Sequence, residues 1–214
     1  MTPLVLFDLD GTLIDSSVGI FASMAHAFTR MGQPVPPLEQ LRGYIGPPLR
    51  QSFPDVVGHD PDHIEQTVAH YRDRYDSLGW LEHEVYPGIA ELVNALSASG
   101  QRLAVVTTKM QTLAEKIVRH LPFGVHIERV YGPGGDGKHS EKAEMIADAL
   151  RDFEIPAAQT TMVGDRYFDI EGALANGVRA IGIGWGFGSE DELLGAGAHA
   201  LARTPAELQS LLLG

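Results

Sequence analysis

The sequence has 214 residues, of which 44% are hydrophobic and 21% are charged. This length accommodates one well-buried α/β domain and a smaller second domain, but not three domains. Cysteine is absent, which excludes disulfide bridges and thiolate metal sites. The formal charge of −12, without a Lys/Arg-rich stripe, argues against nucleic acid as a partner.

The start of the chain, residues 1–7, lacks the basic start and the longer apolar stretch of a signal peptide. No apolar run reaches the length of a membrane span. We therefore expect a cytoplasmic protein with no membrane contact. Because the negative surface would repel a phosphorylated substrate unless a cation were bound, clusters of carboxylates are candidate metal ligands.

The first predicted element is a buried strand, Leu4–Phe7, a continuously apolar run that stops at an Asp-Leu-Asp-Gly turn. Apolar residues at steps of three and four then predict an amphipathic helix around residues 17–31. Seven of the thirteen prolines lie between residues 33 and 61, which indicates short helices and irregular turns. A second long helical pattern spans residues 64–78. Residues 15–84 are therefore predicted to be an α-helical insert.

Helices and strands alternate regularly in the rest of the chain. The predicted elements are a helix at 89–98, a strand at 103–106, a helix at 112–119, a strand at 127–131, a helix at 141–153, a strand at 161–163, a helix at 169–176 and a strand at 179–183. Such repeated βα units predict an α/β fold with a doubly wound parallel sheet. We expect a discontinuous core from residues 1–14 and 85–214, with the insert as an α-helical cap domain.

Two carboxylates follow the first strand. Asp8 and Asp10 stand two residues apart, which sends both side chains to the same side of an extended strand end. One carboxylate can attack a substrate while the other handles a proton. Gly11 and Thr12 complete a tight turn whose backbone amides could face an anion. The alternative is an ordinary acidic turn in solvent.

Further polar groups follow the next two strands. Thr107 and Thr108 offer a hydroxyl and a backbone N–H for a phosphoryl oxygen, or a simple helix cap. Lys142, at the start of a later helix, could neutralise a transferring phosphoryl group. Lys138, in the preceding glycine-rich loop, is a rival for this role.

Asp165 and Asp169 follow the fourth strand of the core. Helix starts attract aspartate in any case, so Asp169 alone indicates little. The combination is informative, because parallel α/β sheets bind ligands outside the carboxyl ends of their strands. Reactive groups at four strand ends of one sheet predict a single catalytic site.

The motifs resemble those of a known enzyme family. Residues 8–13 (Asp-Leu-Asp-Gly-Thr-Leu), Thr107, Lys142, and Gly164-Asp165 with Asp169 are similar to the four signature motifs of the haloacid dehalogenase superfamily. The helical insert resembles its C1-type cap. Residues 43–50 and 184–189 are similar to the phosphoglycolate phosphatase-like group. That group usually has proline after the motif lysine, where this chain has alanine, so Lys138 stays an alternative to Lys142.

The resemblance implies a role for each motif residue. Asp8 would be the nucleophile and form an aspartyl-phosphate that water then hydrolyses. Asp10 would protonate the leaving oxygen and later deprotonate that water. Thr107, Lys142 and the amide of Thr108 would balance the charge on the phosphoryl oxygens.

The resemblance also implies Mg²⁺ as the cofactor. Its ligands would be the Asp8 carboxylate, the Asp10 backbone carbonyl and the Asp165 carboxylate, with Asp169 supporting the site from behind. In the cap, Arg50 is a candidate for contacting an anionic part of the substrate. An exposed helix arginine without a role is the alternative for that residue.

The expected function is therefore a magnesium-dependent phosphatase that acts on small phosphate monoesters. A phosphomutase, a pyrophosphatase or a 5'-nucleotidase on the same core are alternatives, as is a catalytically silent phosphate-binding module. A haloacid dehalogenase is disfavoured, because halide leaves without a metal or a proton donor. The expected partner is a small phosphorylated metabolite whose identity stays open, as does the choice between a monomer and a homodimer.

Overall fold

The computed structural model describes residues 3–134 and 141–214, and the chain divides into two compact units. One unit, called the α/β unit here, comprises Met1–Ile14 and Val85–Gly214, and the other, the helical unit, comprises Asp15–Glu84. Lys138 lies outside the described residues. Across the described ranges, no helix is both long enough and apolar enough to cross a bilayer.

The strands and helices of both units are numbered in chain order. The strands are β1 Leu4–Phe7, β2 Ile14–Asp15, β3 Glu84–Val85, β4 Arg102–Val106, β5 Arg129–Tyr131, β6 Thr160–Gly164, β7 Arg179–Ile183 and β8 Ala200–Ala202. The helices are α1 Ser17–Arg30, α2 Leu38–Gly43, α3 Leu49–Ser52, α4 Pro54–Val57, α5 Pro61–Tyr75, α6 Ile89–Ala98, α7 Gln111–His120, α8 Lys142–Phe153, α9 Tyr167–Ala175, α10 Glu190–Gly195 and α11 Pro205–Leu213. Strands β2 and β3 pair as a separate two-stranded sheet.

Six strands of the α/β unit form one sheet in the order β5-β4-β1-β6-β7-β8. Every neighbouring pair is parallel. Phe7, the last residue of β1, lies opposite Val105 of β4 and Val163 of β6. The three central strands therefore end at nearly the same level, and the predicted doubly wound parallel sheet is confirmed.

Alternation along β1 explains how the sheet is covered on both faces. Leu4 and Leu6 are fully buried in a cluster that includes Met145 of α8 and Ile170 of α9. The intervening residues of the strand are equally buried and point to the opposite face, because successive strand side chains alternate. Each fully buried Leu or Phe stabilises the fold by about 1.5–3 kcal/mol.

The structure differs from the sequence-based expectation in several places. The helix expected at 64–78 spans Pro61–Tyr75, and the two-residue strands β2 and β3 were not predicted. The strand expected at 127–131 begins at Arg129, because a 3₁₀ turn, Gly124–His126, occupies the chain just before it. Three C-terminal elements, α10, β8 and α11, were not predicted. Strand β8 has only three residues and α10 only six, so neither is long enough to show a clear hydrophobic period.

The helical unit is built around an aromatic core. The Phe28 ring meets the Phe53 ring edge-on at 5.3 Å, and Tyr71 stacks on Tyr75 at the same centroid distance. Helix α5 begins at Pro61, and the Asp60 carboxylate caps it by accepting the N–H of residue 62 at 2.9 Å. These contacts give the proline-rich insert a packed interior of its own.

Candidate active site

Three of the predicted site residues directly follow three adjacent strands, and Lys142 and Asp169 lie in the first turns of α8 and α9. Asp8 directly follows β1, Thr107 follows β4, and Asp165 follows β6. Because β4, β1 and β6 are neighbours in the sheet, the residues that leave them emerge side by side. The sheet order thus brings together groups that are up to 157 positions apart in the sequence.

Three buried carboxylates form the centre of this arrangement. Asp8, Asp165 and Asp169 each offer an oxygen, and these oxygens lie within 4.8 Å of one another. Asp165 and Asp169 are fully buried, and Asp8 is nearly so. Carboxylates are rarely buried together without cations, because each charge loses its hydration. We call these three residues the carboxylate cluster.

Lys142 supplies the positive charge within the carboxylate cluster. Its Nζ lies 2.7 Å from Asp8 Oδ1 and 2.7 Å from Asp169 Oδ1. The ammonium also donates to the backbone carbonyl of Val106, at 2.8 Å. Two hydrogen bonds and the ion pair with Asp169 therefore hold the ammonium in place. Among the described residues, Lys142 pairs with two of the three carboxylates, which leaves the cluster with more negative than positive charge.

Burial and crowding shift the pKa values of this cluster. Loss of hydration raises the pKa of Asp8 to about 7, assisted by the charge of Asp169 and opposed by that of Lys142. Desolvation, followed by repulsion from Asp8 and Asp169, also raises the pKa of Asp165 well above its usual range. Desolvation opposes the charge of Lys142, but the two neighbouring carboxylates keep its pKa above the usual value. A bound cation would relieve this strain on the carboxylates.

Asp165 is held by two segments distant in the sequence. The Thr12 hydroxyl donates to its Oδ1 at 3.2 Å, and the Phe187 backbone N–H donates to its Oδ2 at 2.8 Å. The indole N–H of Trp185 donates to the carbonyl of Thr12 at 3.1 Å. The Gly-Trp-Gly-Phe-Gly-Ser segment is not among the predicted site residues and enters the sequence-based prediction only as a family resemblance. Its density of glycine and aromatic residues was the available signal for this supporting role.

The turn after β1 binds its own backbone groups. The N–H of Gly11 donates to Ile14 O at 2.8 Å, and the N–H of Thr12 donates to Leu9 O at 3.3 Å. The two amides expected to face an anion thus have acceptors inside the turn. Gly11 is required for another reason: its φ is +88°, and a Cβ there would collide with the Asp165 carboxylate.

Asp169 lies at the start of α9. Its Oδ2 accepts the backbone N–H of Arg166 at 3.1 Å, so the carboxylate caps the helix while its other oxygen faces Lys142. A Cβ at Gly164 would collide with this side chain. Asp169 therefore both caps helix α9 and belongs to the carboxylate cluster.

Thr107 is buried at the end of β4. Its Oγ1 accepts the N–H of Lys109 at 3.2 Å, and its own N–H donates to Tyr131 O at 2.9 Å. The hydrogen of the Thr107 hydroxyl is not used in either bond. The neighbouring Thr108 is partly exposed. The hydroxyl–amide pair expected from the sequence thus lies at the strand end next to Asp8.

Asp10 lies outside the carboxylate cluster and has a lysine partner of its own. Lys109 Nζ contacts Asp10 Oδ2 at 2.9 Å. The other oxygen, Oδ1, is buried and has no hydrogen-bond partner among residues 3–134 and 141–214. Lys109 directly follows the two threonines but is not among the residues predicted for the site.

Arg50 belongs to the helical unit and is bound there to Glu65. Its guanidinium donates through both Nε and Nη2, the latter at 2.8 Å from Glu65 Oε2. The hydrogen bond with Arg50 lowers the pKa of the Glu65 carboxyl. The forked group that was expected to contact a substrate thus already has a carboxylate partner.

Comparison with known proteins supports the same family. The family model for haloacid dehalogenase-like hydrolases matches residues 5–183. A 5'-nucleotidase of Pseudomonas aeruginosa is 42% identical over 209 residues, which cover 98% of this chain and 93% of that protein. The tyrosine-protein kinase PtkA of Mycobacterium tuberculosis is 36% identical over 88% of this chain and 64% of its own length. Phosphoglycolate phosphatases are further relatives, at 28% identity.

A solved structure agrees with these relatives. The crystal structure of a predicted phosphatase from Clostridium acetobutylicum matches with a TM-score of 0.93 and 35% identity, covering 100% of this chain and 99% of that one. The family match includes Asp8, Lys142 and Asp165, and hence the strand ends that carry the carboxylate cluster. The chain belongs to the haloacid dehalogenase-like hydrolase family.

Proposed function

We propose that this protein is a magnesium-dependent phosphatase that hydrolyses small phosphate monoesters through a phosphorylated Asp8. The observation that carries the proposal is the carboxylate cluster of Asp8, Asp165 and Asp169, buried at the strand ends beside Lys142. Such an excess of buried negative charge fits a site for a divalent cation beside a phosphoryl group. The family's phosphatase members support the same reading.

Asp8 is the proposed nucleophile. A carboxylate oxygen of Asp8 attacks phosphorus, the bond from phosphorus to the ester oxygen breaks, and that oxygen receives a proton from Asp10. Water then attacks the same phosphorus, Asp10 takes the proton from the water, and the bond to Asp8 breaks to release phosphate. The hydrogen bond from Lys142 fixes the Asp8 carboxylate during both steps.

The phosphoryl oxygens need donors around them. The Thr107 hydroxyl, the Thr108 backbone N–H and the Lys142 ammonium are the proposed donors, because they follow or approach the strand next to Asp8. Gly11 and Thr12 form the turn beside Asp165, and the lack of a side chain at Gly11 leaves room for the Asp165 carboxylate. Thr12 also orients Asp165 through its hydroxyl.

Magnesium fits the donors that are present. The carboxylate donors of the cluster are all oxygens, and in the described part of the chain the Lys142 ammonium contacts only two of the three carboxylates. Asp8, Asp165 and the backbone carbonyl of Asp10 would hold the ion, with Asp169 fixing Lys142 beside it. When bound, the ion supplies charge neutralisation for the phosphoryl oxygens. Asp165 is already oriented for this task by the Thr12 hydroxyl and the Phe187 amide.

The relatives narrow the candidate substrates. The relative with 42% identity is a 5'-nucleotidase, which favours nucleoside 5'-monophosphates as the first compounds to assay. Phosphoglycolate and pyrophosphate follow, since phosphatases for both are among the relatives. The α/β unit supplies the chemistry in each case, so the motifs do not select among these substrates.

The test is release of inorganic phosphate from p-nitrophenyl phosphate and from the compounds above, with Mg²⁺ and with a chelator. We expect turnover only with the metal. Asp165→Asn should reduce it strongly, whereas Asp191→Asn, an exposed acid on α10, serves as the matched control. Absence of turnover for every ester, or equal turnover with the chelator, would contradict the proposal.

Kinase activity is a second candidate, because one relative is named a tyrosine-protein kinase. Both reactions would use the same site but differ in the group that accepts the phosphoryl. Incubation with γ-labelled ATP and a tyrosine-containing protein separates them. Label on tyrosine supports the kinase. No label on tyrosine, together with phosphate release from the monoesters above, supports the phosphatase.

A further inference from the structure

We propose that Lys109 is a positioning residue for Asp10: it binds one carboxylate oxygen and so presents the other to the leaving group. This inference rests on the proposed function of Asp10 as proton donor and acceptor. The contact joins Lys109 Nζ and Asp10 Oδ2 at 2.9 Å, with both side chains mostly buried. A carboxylate bound at one oxygen by a fixed ammonium cannot rotate without losing that ion pair.

The second oxygen of Asp10 makes the arrangement directional. Oδ1 is buried, and the described part of the chain offers it no hydrogen-bond partner. Leaving a buried acceptor unpaired costs about 1–3 kcal/mol, so such an atom is usually paired in the working state. A substrate oxygen that exchanges a proton with Asp10 would supply the missing partner.

The backbone around Lys109 fixes where its ammonium begins. The Lys109 N–H donates to Thr107 Oγ1 at 3.2 Å. Its carbonyl lies so close to Gly132 that a Cβ on that glycine would approach it to 2.5 Å. Close packing of this kind requires glycine at position 132 and holds the β4 strand end against the loop after β5.

In the described part of the chain, each aspartate of the first motif therefore contacts a different lysine. Lys142 binds Asp8, the proposed nucleophile, at 2.7 Å. Lys109 binds Asp10, the proposed proton carrier, at 2.9 Å. Loss of Lys109 should affect proton transfer to the leaving oxygen, while the attack by Asp8 stays supported.

The experiment uses two esters that differ in their need for a proton. p-Nitrophenolate leaves readily without protonation, whereas phenolate, with a conjugate acid of pKa about 10 like tyrosine, needs it more. We measure kcat/KM for p-nitrophenyl phosphate and phenyl phosphate with Mg²⁺, because this constant reports the step in which the leaving group departs. The variants are Lys109→Met, Asp10→Asn and the double variant, with Lys116→Met as the exposed control.

We expect Lys109→Met to lower kcat/KM for phenyl phosphate at least about 10-fold more than for p-nitrophenyl phosphate, as general acid catalysis contributes roughly 10²–10⁴-fold. The double variant should be no slower than Asp10→Asn, because Lys109 acts through Asp10. The ratio of the kcat/KM values for the two esters does not depend on the folded fraction of a preparation, because both values scale with the same enzyme concentration.

Equal losses for both esters, or independent losses in the double variant, would overturn the role of Lys109. These outcomes would leave the phosphatase proposal intact, provided that the wild type is active. An inactive wild type would instead refute the proposed function itself. Lys109→Arg provides a further check: partial recovery of the ester ratio is expected, since its guanidinium can still bind one oxygen of Asp10.

Discussion

Ion pairs of similar length occur in both units of the molecule, in very different surroundings. In the α/β unit, Lys142 contacts Asp8 at 2.7 Å with its side chain 2% exposed. In the helical unit, Arg50 contacts Glu65 at 2.8 Å, and the arginine side chain is 52% exposed. Water screens the second pair but not the first. The strength of an ion pair therefore depends more on its burial than on the distance between its charged atoms.

The surroundings of the buried pair also carry charge that the pair does not neutralise. Arg50 and Glu65 neutralise each other, whereas Lys142 faces a cluster with two further carboxylates. An exposed neutral pair can be replaced at little cost. A buried cluster that is short of positive charge is typical of sites that bind a cation. Four substitutions or titrations test this contrast.

The largest effect is expected for Asp8→Asn. The amide cannot attack phosphorus, so kcat should fall by at least about 10⁴-fold, the scale seen when a nucleophile is removed. Phosphate release with Mg²⁺ measures it, and circular dichroism verifies the fold. Activity within tenfold of the wild type would exclude Asp8 as the nucleophile.

Lys142→Met should lower stability as well as activity. The substitution leaves the carboxylate cluster without its ammonium, and removing one partner of a buried ion pair costs roughly 3 kcal/mol. Urea unfolding without metal measures the change, and Mg²⁺ should restore part of it. Lys116→Met, on the exposed face of α7, is the control. A loss below about 1 kcal/mol would show that Lys142 does not balance the cluster.

Magnesium affinity should depend on pH. The folded protein without metal has an Asp8 pKa of about 7, against 3.8 for an ordinary aspartate, so it holds a proton below pH 7 that the cation must displace. Affinity should fall by up to about tenfold per pH unit below 7 for each proton displaced. Between pH 4 and 7 the folded protein holds this proton and the unfolded chain does not. The free energy of unfolding without metal should therefore decrease as pH rises from 4 to 7.

Calorimetric titration with Mg²⁺ at pH 6, 7 and 8 measures this dependence. Proton release appears as a dependence of the binding heat on the buffer. Asp8→Asn should weaken the pH effect, because its side chain does not titrate. An affinity independent of pH would mean that Asp8 is already ionised before the metal binds.

The smallest stability effect is expected for Arg50→Gln. The exposed pair with Glu65 contributes little to stability because water screens it, and Glu65→Gln should behave alike. If Arg50 contacts an anionic part of the substrate, its loss raises KM for such substrates and leaves p-nitrophenyl phosphate unaffected. Equal KM values for all esters would remove Arg50 from the substrate site.

Much of the fold was predictable because its signals are local. Continuous apolar strands such as Leu4–Phe7 and periodic helices identify βα units without tertiary information. The short elements near the C-terminus were missed for the opposite reason. Strand β8 has three residues, and it forms only because β7 offers it a paired edge.

The candidate site was predictable at the level of residues but not of partners. Motif spacing places Asp8, Asp10 and Asp165 at strand ends, and the sheet order confirms that these ends are neighbours. No local pattern pairs Lys109 with Asp10 or Phe187 with Asp165. Those contacts join positions far apart in the chain.

The sequence by itself determined the α/β class, the helical insert and the acidic motif, since hydrophobic period and turn residues act over a few positions. Only the tertiary structure decided which lysine meets which aspartate. Burial is the physical reason. Asp8 and Asp165 are buried close together and lose their hydration, so they need positive charge nearby, and only the fold determines which residues supply it.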